Sequence, residues 1–435
     1  MRIVFYSSNS NIFNEDTFKI KVMPANYESF QKFVSSHPEH DFFCVTQKPA
    51  MFLPEADRLD SGSQTNILYL PLESDTETFA EKIASLNPDL AIAMTFWIEP
   101  YDWLPVSDAL VAEKLNERGV QTICHSVKTG LLCFDKWRTH NELLRLGFEV
   151  PQAVFCDHDL FFCAGSNKEV IRNVYKESVL AQTRGLRLPV IIKDTTGLSS
   201  YGMTVAHTYG EVAGYLNSKR NNSNRLIEEF IRGRQFGLEI YGVPGAYSVL
   251  PPFEFSVNQY GITSPKQSVK IGPCKLPEEL HEMMLKLADG LGLRGVAQVD
   301  LILDEKGNWH IIEVNPRLSG MSYTYSAACG LSGFEMIYKS CVEKKPLPQP
   351  APYVMSLKLP LMSEAEMSKI FELDGLRLLN QTNDLAAKQE RERGFCECII
   401  TGDNRNVLEK ALSVFEEKFP EDQIILQAGK MLNNF

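Results

Sequence analysis

Hydrophobic positions fall in short unbroken runs in RIVFYSS, LNPDLAIAMTF and QTICHS, and recur with helical spacing in DALVAEKLNERGV, which Gly119 closes. Apolar strands separated by a helix predict a parallel, Rossmann-like sheet over residues 1–126. No GxGxxG follows its first strand, so the sequence announces no dinucleotide there.

A second unit opens near Phe134. DKWRTHNELLRLGFEVP carries Trp137, Leu143, Leu144 and Leu146 at helical spacing, with Gly147 as the stop and Pro151 beyond it. Three paired-strand patterns follow: LPVIIKD and MTVAHT around the loop TTGLSSYG, RLIEEFI and QFGLEIYG around Arg232-Gly233-Arg234, and VAQVDLIL and NWHIIEVN turning at Lys306-Gly307. The helical pattern GFEMIYKSCVEK leads into KKPLPQPAP, which reads as a linker. Residues 353–435 are expected to form a small α+β subdomain ending in the helix NVLEKALSVFEEKF.

Composition narrows the class. A chain of 435 residues holds roughly two to four packed units. With 44% hydrophobic and 23% charged residues it is a globular chain, not a disordered one. The apolar stretch Leu90 to Ile98 falls short of the ~20 residues of a membrane helix, and MRIVFYSSNSN lacks a signal peptide's apolar run. A cytoplasmic protein with no membrane partner is expected. The net charge of −11 opposes long-range attraction to nucleic acid, so any bound polyanion should be small and locally held. The ten cysteines include no CxxC; Cys396 and Cys398 are expected on one strand face as reduced, buried residues.

The densest chemistry lies in QVDLILDEKGNWHIIEVNPRLSG. Glu313 and Asn315 are two apart in a strand and face the same side. A two-residue loop at Lys306-Gly307 would set Asp300 opposite Glu313, with Cβ atoms roughly 5 Å apart. Two carboxylates and an amide oxygen form an all-oxygen set suited to Mg²⁺, whereas isolated carboxylates in so apolar a strand would lack partners. Upstream, Lys193 ends an apolar strand before TTGLSSYGM, whose Gly197 and Gly202 bracket Ser199 and Ser200. Such a loop can turn N–H groups toward a phosphate. A solvated strand end before a glycine-rich hairpin has the same local look, as does Lys136 in CFDKWRT.

The order of these motifs resembles the ATP-grasp superfamily, particularly its carboxylate-amine ligases, over roughly residues 1 to 345. The resemblance implies a Rossmann-like preATP-grasp domain at 1–126, an ATP-grasp domain at 127–345 with a flap subdomain at about 187–232, and the C-terminal α+β subdomain at 353–435. It implies that Lys136 and Lys193 contact the ATP phosphates beneath a flap carrying Ser199, Ser200 and Gly202. LIEEFI resembles the hinge strand, its main chain at Glu229 and Ile231 reading adenine with Glu228 and Phe230 alongside. Gln235 stands where many relatives place an acidic ribose ligand. Asp300, Glu313 and Asn315 resemble magnesium ligands, with Mn²⁺ as a substitute, and Arg317 of NPR resembles the arginine that steadies the transferred phosphate. The NPR form is similar to that of carboxylases, purine-pathway ligases and L-amino-acid ligases rather than D-alanyl-D-alanine ligases. Gln298 stands where the latter carry an arginine.

The implied reaction is ATP-dependent ligation of a carboxylic acid and an amine, such as amino acids or peptides, through an acylphosphate, releasing ADP and phosphate. The alternatives are a carboxylase of the biotin carboxylase or purine-pathway type, or a non-catalytic nucleotide-binding regulator. TTGLSSYG lacks the GGGG-type run of biotin carboxylases, and no biotin-carrier lysine motif is visible. Glu239 either faces the site or is a solvent-facing strand residue. Trp97, Trp103, Tyr323 and Tyr325 are candidates for a pocket wall or for ordinary core. His125 and His140 lack metal-ligand spacing, there is no GxSxG elbow, and a homodimer is left open.

Overall fold

The computed structural model describes residues 1–8, 27–47, 66–71, 73–96, 103–164, 171–197, 203–258, 268–383, 394–420 and 422–435. The first sheet contains β1 (Arg2–Ser7), β2 (Asp41–Gln47), β3 (Ile67–Leu70), β4 (Leu90–Ala93) and β5 (Gln121–Ile123). All four pairings are parallel, in the order β3-β2-β1-β4-β5. The helix Leu104–Glu117 crosses from β4 to β5, and Gly119 supplies the positive φ of +82° after its end.

The second sheet, in the order β6-β9-β7-β8, holds β6 (Ala153–Cys156), β7 (Val190–Asp194), β8 (Thr204–Ala206) and β9 (Arg225–Glu229). The expected β7–β8 hairpin is present, with Ile191 opposite Val205. The flap residues Ser199, Ser200 and Gly202 lie outside the described residues.

The third sheet contains β10 (Gly233–Val243), β11 (Ala246–Val249), β12 (Phe253–Phe255), β13 (Ser268–Gly272), β14 (Gly295–Asp304) and β15 (Trp309–Asn315), then β16 (Tyr353–Leu359), β17 (Leu376–Asn383) and β18 (Gly394–Gly402). Its order is β15-β14-β10-β12-β13-β16-β18-β17, with β11 paired to β10. The strands after residue 353 therefore extend the sheet that carries the acidic hairpin. Two helices cover them, Arg405–Lys418 and Gln423–Asn434. The latter corrects the expectation that the chain ends in NVLEKALSVFEEKF. Its start was legible: Asp422 caps Ile424 N–H at 2.8 Å, and Ile424, Ile425, Ala428 and Leu432 form its buried stripe.

A second correction concerns RLIEEFI and QFGLEIYG. They form no hairpin; β9 pairs with β6 and β7, while β10 pairs with β11, β12 and β14. Arg232-Gly233 carries the chain between sheets. Two apolar runs flanking a glycine look the same locally whether they pair with each other or with distant strands, and here the distant partners win.

Alternation sorts the faces of the third sheet. Phe236, Leu238, Ile240, Val299, Leu301 and Val314 pack beneath the helix Glu278–Leu291. The opposite face carries Gln235, Glu239, Gln298, Asp300, Glu313 and Asn315, because cross-strand partners share a face: Glu239 with Gln298, Gly237 with Asp300, Gln298 with Asn315. Burying about 25 cal/mol per Å² of apolar surface on one face holds the polar face in register.

Candidate active site

Asp300 lies directly opposite Glu313, as the sequence predicts, but by another route. The hairpin loop spans Glu305 to Asn308, not Lys306-Gly307 alone, with Gly307 N–H donating to Asp304 O at 3.0 Å and Asp304 N–H donating to Asn308 O at 3.0 Å. This shifts the pairing by one residue, and an irregularity between Asp300 and Leu301 shifts it back. Without that bulge the hairpin would carry Glu313 to the opposite face.

The carboxylates are crowded. Burial, and then the charge of Glu313, push the Asp300 carboxyl up to about 7, although Gln298 Nε2 donates to it at 2.6 Å. Glu313 moves the other way: burial would raise it, but the Lys136 ammonium 2.9 Å from its Oε1 outweighs burial and holds it below its ordinary value. Two carboxylates and the Asn315 amide oxygen within one patch make an oxygen-only donor set, a fit for a hard divalent cation.

Local structure explains why Lys136 reaches this patch. Asp135 caps the helix Lys136–Arg145 by accepting from Arg138 N–H at 2.9 Å. The Lys136 N–H donates to Thr195 O at 2.7 Å, pinning the helix start to the chain just beyond β7. Its Nζ also donates to Gly197 O at 3.0 Å. Lys193, in β7, is 6% exposed and ion-paired with Glu228 of β9. Burial alone would raise Glu228, but Lys193 and His140 more than offset it and its carboxyl lies below its ordinary value. His140 Nδ1 stands 3.5 Å from Glu228 Oε1. His140 is thus a site neighbour that sequence spacing missed; its partner is 88 positions away.

Arg317 is 7% exposed and donates from Nη2 to Asn315 Oδ1 at 3.2 Å. Leu318 N–H donates to Thr95 O at 2.8 Å, tying this segment to the parallel sheet. Glu239 is fully buried, which overturns the solvent-facing alternative. Ser322 Oγ donates to it at 2.5 Å, Tyr241 OH at 2.7 Å and Ser319 Oγ at 3.1 Å. Ser319 and Ser322 form the capping box of the helix Gly320–Cys329, so Glu239 anchors that helix's N-terminus to the polar face. Burial drives the Glu239 carboxyl up to about 7 against these three donors.

Residues 229–232 carry the chain from the second sheet to the third, their start tied to the second sheet. Glu229 N–H donates to Gln152 O at 2.9 Å and Phe230 N–H to Pro189 O at 3.0 Å. The Glu229 side chain points to Arg187 instead, 3.2 Å from its Nη2. Ile231 follows in the crossing segment, and Gln235 lies half-buried on the polar face. Beside Glu313 and Asn315 a cleft opens against Pro105, Gly130, Phe134 and Gly197. Of the aromatic candidates, Tyr325 is core, donating to Pro251 O at 2.6 Å, while Trp103 is 48% exposed and stacks on Phe134 at 4.3 Å. Tyr323 packs against Phe96, and Trp97 lies outside the described residues. His125 is buried against Val296 O at 2.8 Å, and Cys396 and Cys398 are buried and free. No described helix is long and apolar enough to cross a membrane.

Residues 164–336 match the family model for the D-ala D-ala ligase C-terminus. A D-alanine–D-alanine ligase of Pelotomaculum thermopropionicum is 32% identical over 190 residues, covering 40% of this chain and 58% of that protein. The fold is similar to that of an ADP complex of N5-carboxyaminoimidazole ribonucleotide synthetase, with TM-score 0.64, 15% identity and coverage of 97% of this chain and 98% of that one. It is likewise similar to an L-amino acid ligase from Bacillus licheniformis, with TM-score 0.63, 15% identity and coverage of 96% and 97%. Sequence similarity over part of the chain is thus to D-alanine–D-alanine ligases, and fold similarity over nearly all of it is to the other two. The five-stranded parallel sheet, the two antiparallel sheets and the nearly full-length fold similarity together give this chain the ATP-grasp fold, and within it residues 164–336 match the ligase segment.

Proposed function

We propose that the protein is an ATP-dependent carboxylate-amine ligase that forms an amide or peptide bond through an acylphosphate and releases ADP and phosphate. The observation that carries this reading is the convergence of Asp300, Glu313 and Asn315 with Lys136 and Arg317 in one half-buried patch. The adenine would lie along the hinge near Ile231, the ribose beside Gln235, and the phosphates between Lys136 and Lys193.

Asp300, Glu313 and Asn315 would hold Mg²⁺, which offsets the charge that otherwise repels an attacking carboxylate from the γ-phosphate. Lys136 and Lys193 would exchange their present partners, Glu313 and Glu228, for phosphate oxygens. Arg317, held by Asn315, would bear on the transferred phosphoryl group. The flap would exclude water from the acylphosphate. The amine then attacks the acyl carbon, phosphate leaves, and the ammonium proton is lost to solvent or a nearby base.

An ADP-release screen over a matrix of acids and amines, with mass spectrometry of products, tests this. A condensation product equal in amount to ADP is expected. Bicarbonate as the only effective acid would support the carboxylase, and nucleotide binding without turnover for any pair would support the regulator.

A further inference from the structure

The polar face does not end at the metal-binding patch. On β13, β16 and β18 the positions Val269, Ile271, Met355, Leu357, Cys396 and Cys398 pack under the two C-terminal helices. Alternation therefore places Lys270, Ser356, Lys358 and Glu397 on the other face, the one that carries Asp300 and Glu239. Lys270 belongs there by a continuous chain of cross-strand partners, Gln235 to Phe255 to Lys270 to Ser356.

Glu397 is 5% exposed, and among the described residues nothing donates to its Oε1. Leaving a buried carboxylate oxygen without a donor costs free energy unless a ligand supplies one. Lys358 is its cross-strand neighbour, with the ammonium 4.4 Å from the centre of the Phe395 ring. Lys270 is half-buried, its Nζ 3.2 Å from Gly320 O at the start of the helix that caps this face. Burial lowers its ammonium to about 8, helped by the Lys358 charge and opposed by the charges of Glu397, Glu239 and Asp300. Strand order places Lys270 of β13 between Glu397 of β18, whose Oε1 has no donor, and the patch where a γ-phosphate would arrive. Tyr323, packed on Phe96, lies near enough to feel the Glu397 charge.

We infer that Glu397 and Lys270 form a subsite for a zwitterionic α-amino acid, whose ammonium donates to Glu397 Oε1 and whose carboxylate pairs with Lys270 on the side facing Asp300. The subsite rests on the ligase reading for its purpose but not for its chemistry, since a buried bare acceptor and a desolvated cation select a molecule bearing a donor cation and an anion close together. Neither residue is singled out by the sequence motifs, and Glu397 lies beyond the segment matched by the ligase family model.

The test is calorimetry on the full chain with Mg²⁺ and a non-hydrolysable ATP analogue. The probes are the twenty standard amino acids and D-alanine, then the tightest binder's des-amino acid and its decarboxylated amine. Wild type should bind the amino acid at least about tenfold tighter than either analogue. Glu397→Gln should erase the advantage over the des-amino acid while leaving that analogue's own affinity unchanged. Lys270→Met, which keeps the stem, should weaken the amino acid and the des-amino acid together and spare the amine. If Glu397→Gln does not fold, the Lys270→Met pattern still decides. Equal weakening of all three probes, or no preference of wild type for the zwitterion, overturns the subsite. ADP release from simple acids and amines without that preference would overturn the subsite and leave the ligase reading. Zwitterion binding with no ADP from any amine would overturn the ligase reading and leave the subsite.

Discussion

Replacing Glu313 with Gln should change the sign of magnesium's effect on the protein's affinity for ATP. Glu313 holds the Lys136 ammonium at 2.9 Å, with the two side chains 25% and 11% exposed. A charge-assisted bond of this kind is worth about 1.5–3 kcal/mol, which metal-free ATP must spend to recruit the lysine. ATP also meets the Glu313 charge itself. At an effective dielectric of ~20 and a separation of ~5 Å, one unit charge contributes about 3 kcal/mol of repulsion, less whatever solvent screens. The Gln variant removes both penalties, so metal-free ATP should bind at least about tenfold tighter. Magnesium-ATP should bind at least about a hundredfold more weakly, because a carboxylate ligand has been lost and Asp300 alone holds the cation's charge. Stability should change little, since losing the Lys136 pair is offset by removing the Glu313 charge, which after burial is the next cause of the raised Asp300 value of about 7. Calorimetric titration of ATP with EDTA and with saturating Mg²⁺, on wild type and variant, reads both quantities. Equal weakening in the two conditions would refute the assignment and make Glu313 a structural partner of Lys136.

Lys193→Ala should weaken ATP more than adenosine and, by leaving Glu228 buried with only His140 beside it, cost about 3 kcal/mol in denaturant unfolding; equal weakening of both ligands would assign the lysine to the fold alone. Glu239 gives a pH signature: its folded carboxyl titrates near 7 against 4.5 unfolded, so the native state holds the extra proton and stability should fall by about 3 kcal/mol as pH rises from 4.5 to 7. Glu239→Gln should flatten that slope relative to wild type in denaturant titrations across this range, and parallel slopes would contradict the raised value. Asp422→Ala should lower stability by about 1 kcal/mol through loss of the cap on Gln423–Asn434, and an unchanged unfolding midpoint would show that packing alone sets that helix.

Much of the site was legible because its residues sit on one hairpin. Two residues apart in a strand fixes a shared face, and Asp300 needed only one cross-strand register to join Glu313 and Asn315. That register was right although the loop was not, because the bulge compensates for a longer turn. What escaped the sequence depends on distant partners. Glu239 has no local mark of its role, since the serines that bind it lie 80 and 83 positions on. His140 looks like any helical histidine until Glu228 folds beside it. SVKIG reads as an ordinary half-buried strand, and nothing within it says that Lys270 shares a face with Asp300. The false hairpin at Arg232-Gly233-Arg234 has the same origin, as pairing between sheets leaves no trace in either run alone.

In the proposed reaction a carboxylate attacks the γ-phosphorus of ATP. Hydroxylamine supplied in place of the amine, with the acid that supports turnover, intercepts an acylphosphate as a hydroxamate. Hydroxamate should form in step with ADP and phosphate, and none of it without the acid. AMP and pyrophosphate as the products, or ADP formed at the same rate without any carboxylic acid, would contradict it.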